Sequence, residues 1–223
     1  RAALGFARGQ GLDPASLYVL ETPKGDYAAA KKAVVGEQAE ALIAAALPDI
    51  LRGLPMPKRM KWGREPESFV RPVHSLVAIL GGHVVDVAFA GVRSGRDSAG
   101  HRFLGEPVPL LTADYDLYVA LLRVQHVMVD PAERRAVILA GAEALAGEAG
   151  GTLVDDPTTL DTVTWLVEWP FPLLGTFSAE FLQIPDEVTI ITLREHQKLF
   201  TIRGDNGKLL NRFVAVANTL SEQ

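Results

Sequence analysis

The feature that most constrains the fold is a helix in the middle of the chain with clear signals at both ends. Asp130 can accept a hydrogen bond from a free backbone N–H, Pro131 suits a first helical turn, and Glu133 occupies the capping-box position. The alanine-rich stretch that follows reaches Gly150-Gly151, which is typical of a helix end. The pattern predicts a long helix between runs that favour other elements.

Local patterns predict the remaining helices and strands. Apolar residues at i, i+3, i+4 and i+7 spacing predict an amphipathic helix over 39–51, which Gly53 ends. The other expected elements are a hairpin of strands 73–80 and 84–90 around Gly81-Gly82-His83, a helix capped by Thr112 and running to about Arg123, a short helix opened by Asp156-Pro157, and strands at 171–177, 198–202 and 213–217, with a turn at 205–207 between the last two.

These helices and strands alternate irregularly, without the steady βαβ rhythm of a doubly wound sheet. We therefore expect an α+β fold, with a mixed or antiparallel sheet and packed helices. We expect residues 1–54 to form a helical or hairpin subdomain and residues 55–223 the main domain. The chain starts within a helical pattern and stops just after a strand-like run, so we interpret it as a piece of a longer protein.

Composition excludes several classes of site. The chain has no cysteine, which rules out disulfides and thiolate metal sites and fits a reducing cytosol. Its five histidines show neither His-x-x-x-His nor an adjacent His-Asp pair, so we expect no metal site. No apolar run approaches the roughly 18–20 residues that cross a bilayer, and no secretory leader is visible.

Charge is distributed unevenly along a chain whose net charge is −5. Residues 136–193 contain nine acidic residues and no Lys or Arg. Residues 52–71 contain six basic and two acidic residues, and residues 194–212 contain five basic and two acidic residues. This asymmetry indicates basic surfaces suited to an anionic partner. The alternative is that the acidic and basic stretches neutralise each other across the surface.

Two basic groups are candidates for contact with nucleic acid. In the first, Trp62 lies among cations that can meet phosphates while its ring stacks on a base. The second runs from Arg93 to Arg102, and its alternative interpretation is a loop with solvated charges. The expected hairpin would bring Arg71 and Arg93 together, making one surface. The candidate nucleic-acid-contacting residues are Lys58, Arg59, Lys61, Trp62, Arg71, Arg93, Arg96, His101 and Arg102. Trp165 and Trp169 are expected in the core.

Apparent catalytic motifs fail on spacing. Ser94 stands one place too late for a Gly-x-Ser-x-Gly nucleophile elbow. Residues 204–208 end like a phosphate loop but are followed by Leu209 instead of Ser or Thr. Asp155, Asp156 and Asp161 could be paired carboxylates for acid/base work or for a divalent cation, but we favour a helix cap, because Asp155-Asp156-Pro157 is typical of one. We therefore expect no catalytic residue here.

Several segments, in order, resemble the β subunit of bacterial glycyl-tRNA synthetase across essentially the whole chain. They are Met60-Lys61-Trp62-Gly63, Phe69-Val70-Arg71-Pro72-Val73-His74, residues 94–103, Asp130 with Arg134-Arg135, Gly150-Gly151, residues 166–170, His196-Gln197-Lys198 and Val216-Ala217-Asn218. Two positions depart from the family pattern: Leu199 replaces a usual aromatic residue, and Ser98 a common threonine.

The resemblance implies a cytoplasmic α₂β₂ glycine–tRNA ligase. It implies that the α subunit binds glycine, ATP and magnesium and makes the adenylate, so that this region needs no cofactor of its own. It implies that the β subunit binds tRNA-Gly, pairs with α and with a second β subunit, and acts as a scaffold. It also implies a fold related to the editing module of the phenylalanyl-tRNA synthetase β subunit.

Two other functions stay open at this point. One is a hydrolytic editing domain that acts on mischarged tRNA. The other is an interaction module that docks the α subunit through the acidic stretch 136–193.

Overall fold

The computed structural model describes residues 2–32 and 35–219. The chain divides into two compact units, Arg1–Ile43 and Ala44–Gln223. The smaller unit contains helix α1 (Ala2–Gly9), a 3₁₀ turn at Pro14–Ser16, and the antiparallel strands β1 (Leu17–Thr22) and β2 (Gly25–Ala30). Helix α2 (Ala39–Gly53) ends at Gly53, as predicted from the sequence. The division between the two units, after Ile43, falls within this helix. The domain boundary expected at residue 54 stays a prediction.

The larger unit combines short strands with helices. In chain order its further elements are β3 (Ile79–Leu80), β4 (His83–Val84), β5 (Ala88–Phe89), β6 (Val92–Arg93), β7 (Asp97–Ser98), β8 (Val108–Pro109), α3 (Tyr115–Val124), α4 (Pro131–Glu148), β9 (Gly151–Leu153), α5 (Pro157–Leu166), β10 (Phe171–Thr176), α6 (Asp186–Ile191), β11 (Phe200–Gly204) and β12 (Leu209–Ala217). A 3₁₀ segment covers Ala179–Gln183 and a π-helical segment covers Thr192–Gln197.

The main core lies between one antiparallel sheet and two helices. The sheet has strand order β10-β12-β11-β9, and α4 and α5 pack against it. Ile138 and Ala142 of α4 meet Phe200, Ile202 and other buried apolar side chains of the sheet and α5. Burial of this apolar surface is the main force that holds the helices on the sheet. The mixed helices and small antiparallel sheets confirm the α+β class.

Two of the helix caps predicted from the sequence are confirmed. Asp130 accepts a hydrogen bond from the backbone N–H of Ala132 at 2.8 Å, and α4 ends before Gly150, whose φ is +77°. Asp156 accepts from the N–H of Thr159 at 2.9 Å and opens α5. Local side-chain chemistry is enough to start and stop both helices.

The predicted hairpin of strands 73–80 and 84–90 is much shorter than expected. Only Ile79–Leu80 and His83–Val84 pair as strands. Ser94 explains the change, because its Oγ donates to the carbonyl of Val85 and accepts from the N–H of Val87. From Val87 onward the chain therefore pairs with residues 92–94, in a second hairpin, instead of returning along residues 73–77.

Three smaller predictions need correction. The N-cap of α3 is Asp114, which accepts from the N–H of Leu117 at 3.0 Å, and not Thr112. Strand β11 starts at Phe200 because Lys198 has a left-handed backbone, with φ +56°, that interrupts an extended strand. Trp165 is 73% exposed and so lies outside the core, whereas Trp169 is half-buried.

In the described parts of the chain, no helix is long and apolar enough to cross a membrane.

Candidate nucleic-acid interface

A cleft of about 580 Å³ lies where distant parts of the larger unit meet. Its walls come from the loop after β7, from α3, from the start of α4, from the end of α5 and from the residue after β12. The polar and aromatic side chains that line it include Arg102, Phe103, Arg134, Trp165, Glu168 and Asn218.

Hydrogen bonds to the backbone of the segment between α5 and β10 hold these walls together. The Oδ1 atom of Asn218 accepts from the N–H groups of Glu168, at 2.6 Å, and Trp169, at 3.2 Å. The carbonyl of Glu168 accepts from the N–H of Met128 at 2.9 Å. The connector between α5 and β10 is thereby tied on one side to the end of β12 and on the other to the segment before α4. The cleft is therefore part of the packed structure.

Arg134 brings a buried positive charge to the cleft. Its residue surface is 8% exposed, and its guanidinium donates to the backbone carbonyls of Thr164, Met128 and Val129. No carboxylate pairs with it in the described chain. Carbonyl dipoles satisfy its hydrogen bonds but leave the charge uncompensated, so this wall attracts an anion.

Two aromatic side chains in the cleft are open to solvent. Trp165 is 73% exposed and Phe103 is 70% exposed. A guanidinium lies over each ring: that of Arg134 is 5.8 Å from the centre of the Trp165 ring, and that of Arg102 is 5.9 Å from the centre of the Phe103 ring. Proteins that bind single-stranded nucleic acid combine exposed aromatic side chains, on which bases stack, with neighbouring cations that meet the phosphates.

His101 is completely buried and organises the loop behind Arg102. Its Nδ1 atom accepts from the N–H groups of Phe103 and Leu104, both at 3.2 Å. Its other ring nitrogen, Nε2, is buried and has no hydrogen-bond partner among the described residues. The expectation that His101 contacts RNA stays untested, but its position gives it a supporting role in this loop.

The first basic group lies mostly at the surface. Lys58, Lys61 and Arg71 are exposed and form no side-chain hydrogen bond or ion pair within the described residues, and Trp62 is half-buried. Arg59 differs, because its guanidinium donates to the backbone carbonyls of the preceding residues 52 and 54.

The second basic group is more varied. Arg93 forms an ion pair with Asp86, in which its Nη1 atom lies 2.9 Å from Oδ1 and 2.7 Å from Oδ2 of the carboxylate. Both side chains are well exposed. Arg96 is half-buried and Arg102 is exposed, and neither has a carboxylate partner in the described part of the chain. Arg102 is the one predicted residue that also lines the cleft.

Short backbone contacts link the neighbourhoods of the two groups. Met60 and Phe69 form an antiparallel bridge, and the Phe69 ring packs edge-on against Phe89, with ring centres 5.6 Å apart. The N–H of Gly95 donates to the carbonyl of Leu76 at 2.9 Å. The segments that carry both groups therefore belong to one packed region. That their cations form one RNA-facing surface stays a prediction.

Comparison with known proteins decides the family. The family model described as glycyl-tRNA synthetase beta subunit matches residues 1–223. This chain belongs to that family. Similar proteins include the glycine–tRNA ligase beta subunits of Geotalea daltonii, which is 41% identical over 100% of this chain, and of Geobacter sulfurreducens, which is 42% identical over 100% of it. The chain spans about a third of these relatives, 32% of each.

A relative from a third genus gives the same result. The glycine–tRNA ligase beta subunit of Nitratidesulfovibrio vulgaris is 43% identical over 98% of this chain, which corresponds to 31% of that protein. The resemblance inferred from sequence motifs is therefore confirmed as membership of the glycyl-tRNA synthetase beta subunit family.

Motifs that carried the resemblance converge on the cleft. Residues 100–103, 134–135, 166–170 and 216–218 all belong to those motifs, and each of these stretches supplies at least one lining side chain. Reasoning from residue type had missed Arg134, Trp165 and Glu168 as site residues. For Arg134 and Glu168 the available signal was their presence in these motifs, whereas Trp165 lies just before the motif 166–170 and only the structure brings it into the cleft.

Proposed function

We propose that this chain is a tRNA-contacting region of a glycine–tRNA ligase β subunit. The observation that carries the proposal is a set of cations without internal partners. Among the residues that the structure describes, the side chains of Lys58, Lys61, Arg71, Arg96 and Arg102 form no hydrogen bond or ion pair with another residue.

Unpaired cations are suited to phosphate contact, because they give up no protein partner when they bind. Two other arginines, by contrast, are engaged: Arg52 pairs with Asp49 and Glu67, and Arg123 pairs with Glu133. The hydrogen bond with Glu133 and its negative charge raise the pKa of Arg123. Neutralisation of phosphates by unpaired Lys and Arg supplies most sequence-independent affinity for nucleic acid.

The remaining predicted contacts take different roles in this proposal. The ion pair of Arg93 with Asp86 is exposed on both sides, so exchange of the carboxylate for a phosphate costs little. Arg59 supports the turn after α2 through its two backbone carbonyls. His101 acts indirectly, by shaping the loop that presents Arg102.

The proposal includes the assembly expected of the whole enzyme. In it, an α subunit binds glycine, ATP and magnesium and forms the adenylate, while two β subunits complete a cytoplasmic α₂β₂ enzyme that charges tRNA-Gly. The relatives are named glycine–tRNA ligase beta subunit, which supports an α partner. This region serves there as tRNA contact and scaffold.

We also propose that this fold is related to the editing module of the phenylalanyl-tRNA synthetase β subunit. The antiparallel sheet covered by α4 and α5 supports it. Superposition on that module tests the fold, and hydrolysis of mischarged tRNA by the full-length protein tests an editing activity. Docking of α through residues 136–193 is tested separately, by α binding that persists when RNA affinity is lost.

The main experiment measures the affinity of the full-length protein for tRNA-Gly as a function of salt. The double variant Arg96→Ala/Arg102→Ala removes two unpaired cations, so tRNA binding weakens and the slope of log affinity against log salt flattens by roughly one unit per lost phosphate contact. Glycine-dependent ATP–pyrophosphate exchange stays unchanged, because the α subunit carries that step in this proposal.

The control is Arg194→Ala, which removes one positive charge from a side chain already paired with Glu195. Its salt slope is expected to stay near that of the unmodified protein. A folded double variant with unchanged tRNA affinity and charging rate would refute the proposed function.

A further inference from the structure

We propose that the cleft between Arg102 and Trp165 binds one unpaired ribonucleotide of an RNA strand. This inference rests on the proposed function, because it assumes that tRNA reaches this face. It goes further by assigning a site and a ligand class: an unstacked nucleobase with its own phosphate.

The cleft offers a surface on which a base can stack. Arg134 covers one side of the Trp165 ring, while 73% of the residue stays accessible. The open part of the ring is therefore available to a planar ligand. A guanidinium behind an indole holds the ring in place and adds to its attraction for a stacked base. Phe103, 70% exposed, provides a second aromatic surface in the same cleft.

The charges in the cleft match a nucleotide better than a plain anion or an apolar ligand. Arg102 is exposed and unpaired, and Arg134 is buried at the wall without a carboxylate among the described residues. Both attract a phosphate. Glu168 also lines the cleft, and its carboxylate forms no hydrogen bond or ion pair with any of the described residues. A carboxylate repels a bare anion but accepts hydrogen bonds from a base amino group or a ribose hydroxyl.

The size of the cleft restricts the ligand to something small. Its volume of about 580 Å³ falls within the range of small-molecule sites, so it suits a single nucleotide and excludes a duplex. A base pair inside a duplex cannot offer its face to Trp165, since both of its faces are covered within the stack. The site therefore selects single-stranded or flipped-out nucleotides.

The test compares single-stranded and duplex RNA probes of about six nucleotides, using the full-length protein. Trp165→Ala is expected to weaken binding of the single strand roughly five- to hundred-fold, the range that one base–aromatic stack supplies. Binding of the duplex probe stays unchanged. Trp165→Phe keeps an aromatic face and retains most of the affinity. Phe181→Ala removes an exposed ring elsewhere in this unit and leaves both probes unaffected.

Tryptophan fluorescence provides a second measurement that does not depend on the alanine variant. The single strand quenches emission of the unmodified protein, and much of this quenching disappears in Trp165→Phe. If Trp165→Ala fails to fold, the quenching comparison decides. Unchanged single-strand affinity in a folded Trp165→Ala variant overturns the inference, and so does an equal loss for both probes.

The site and the proposed function can fail separately. If the single strand neither binds nor quenches while tRNA-Gly still binds with the expected salt slope, the cleft proposal is wrong and the proposed function stands. If tRNA-Gly affinity does not respond to Arg96→Ala/Arg102→Ala, the proposed function fails, whatever the single strand does.

Discussion

Arg134 lies with its guanidinium carbon 5.8 Å from the centre of the Trp165 ring, although the two side chains belong to different helices. The same guanidinium donates to the carbonyl of Thr164, the residue before the tryptophan, at 3.2 Å. One buried cation thus holds both the backbone and the ring at the end of α5. This contact joins the core of α4 and α5 to the cleft.

Arg134→Lys is expected to destabilise the larger unit by about 1–3 kcal/mol. A lysine has one nitrogen and cannot replace a planar fork that reaches three backbone carbonyls, so at least one buried carbonyl loses its donor. The midpoint of urea unfolding measures the change. Arg135→Lys is the matched control, because the neighbouring Arg135 makes an exposed pair with Asp161 and its replacement costs under about 1 kcal/mol. Equal midpoints for both variants would contradict the prediction.

His101→Ala and His101→Asn should differ in stability. Alanine removes the Nδ1 acceptor and leaves the N–H groups of Phe103 and Leu104 unsatisfied, at a cost of about 1–3 kcal/mol. Asparagine places its Oδ1 where Nδ1 stood and accepts from the same backbone groups, as in an Asx turn. It therefore retains more of the stability. Thermal unfolding tests the order of the two variants, and an asparagine variant no more stable than the alanine one would show that the contact matters little.

Asp130→Ala is expected to lower the free energy of unfolding by about 0.5–2 kcal/mol, because the N–H of Ala132 loses its cap. Asp130→Asn keeps a capping oxygen and should recover most of the loss. Affinity for tRNA stays the same in both variants. The denaturation midpoint is the measurement, and an unshifted midpoint in Asp130→Ala would show that the cap contributes nothing.

Gly175→Ala is expected to destabilise the sheet by about 1–3 kcal/mol. Gly175 of β10 pairs across the sheet with Phe213 of β12, and an added Cβ would lie 2.2 Å from the Cζ atom of that ring. The ring has to move for the alanine to fit. Gly147→Ala, at an exposed helical position with no atom within 4 Å of the added Cβ, is the control and should stabilise by about 0.4–1 kcal/mol. Midpoints that shift in the same direction would refute this account.

The purified chain alone is expected to show no glycine-dependent ATP–pyrophosphate exchange. Its one stretch that resembles a phosphate loop, residues 204–208, forms the turn between β11 and β12. The same assay with the α subunit added serves as the positive control. Exchange by this chain above a blank without protein would overturn the prediction.

Much of the secondary structure could be predicted because its causes are local. Asp130 and Asp156 cap helices through N–H groups two or three residues away, and Gly150 ends α4 through its own φ angle. Such contacts are encoded within a few residues, so a pattern in the sequence is enough to find them. The Gly81-Gly82 turn was found for the same reason, whereas the length of its strands depended on Ser94.

The sequence by itself determined the N-caps of α4 and α5, the tight turns, the α+β class and, through its motifs, the family. Only the tertiary structure decided which side chains are open and which are buried. Trp165 is exposed and His101 is enclosed, contrary to what their neighbours in the chain suggest. The physical reason is that exposure depends on segments far apart in sequence, such as Asn218 holding the backbone of Glu168. The cleft exists only where such distant contacts meet.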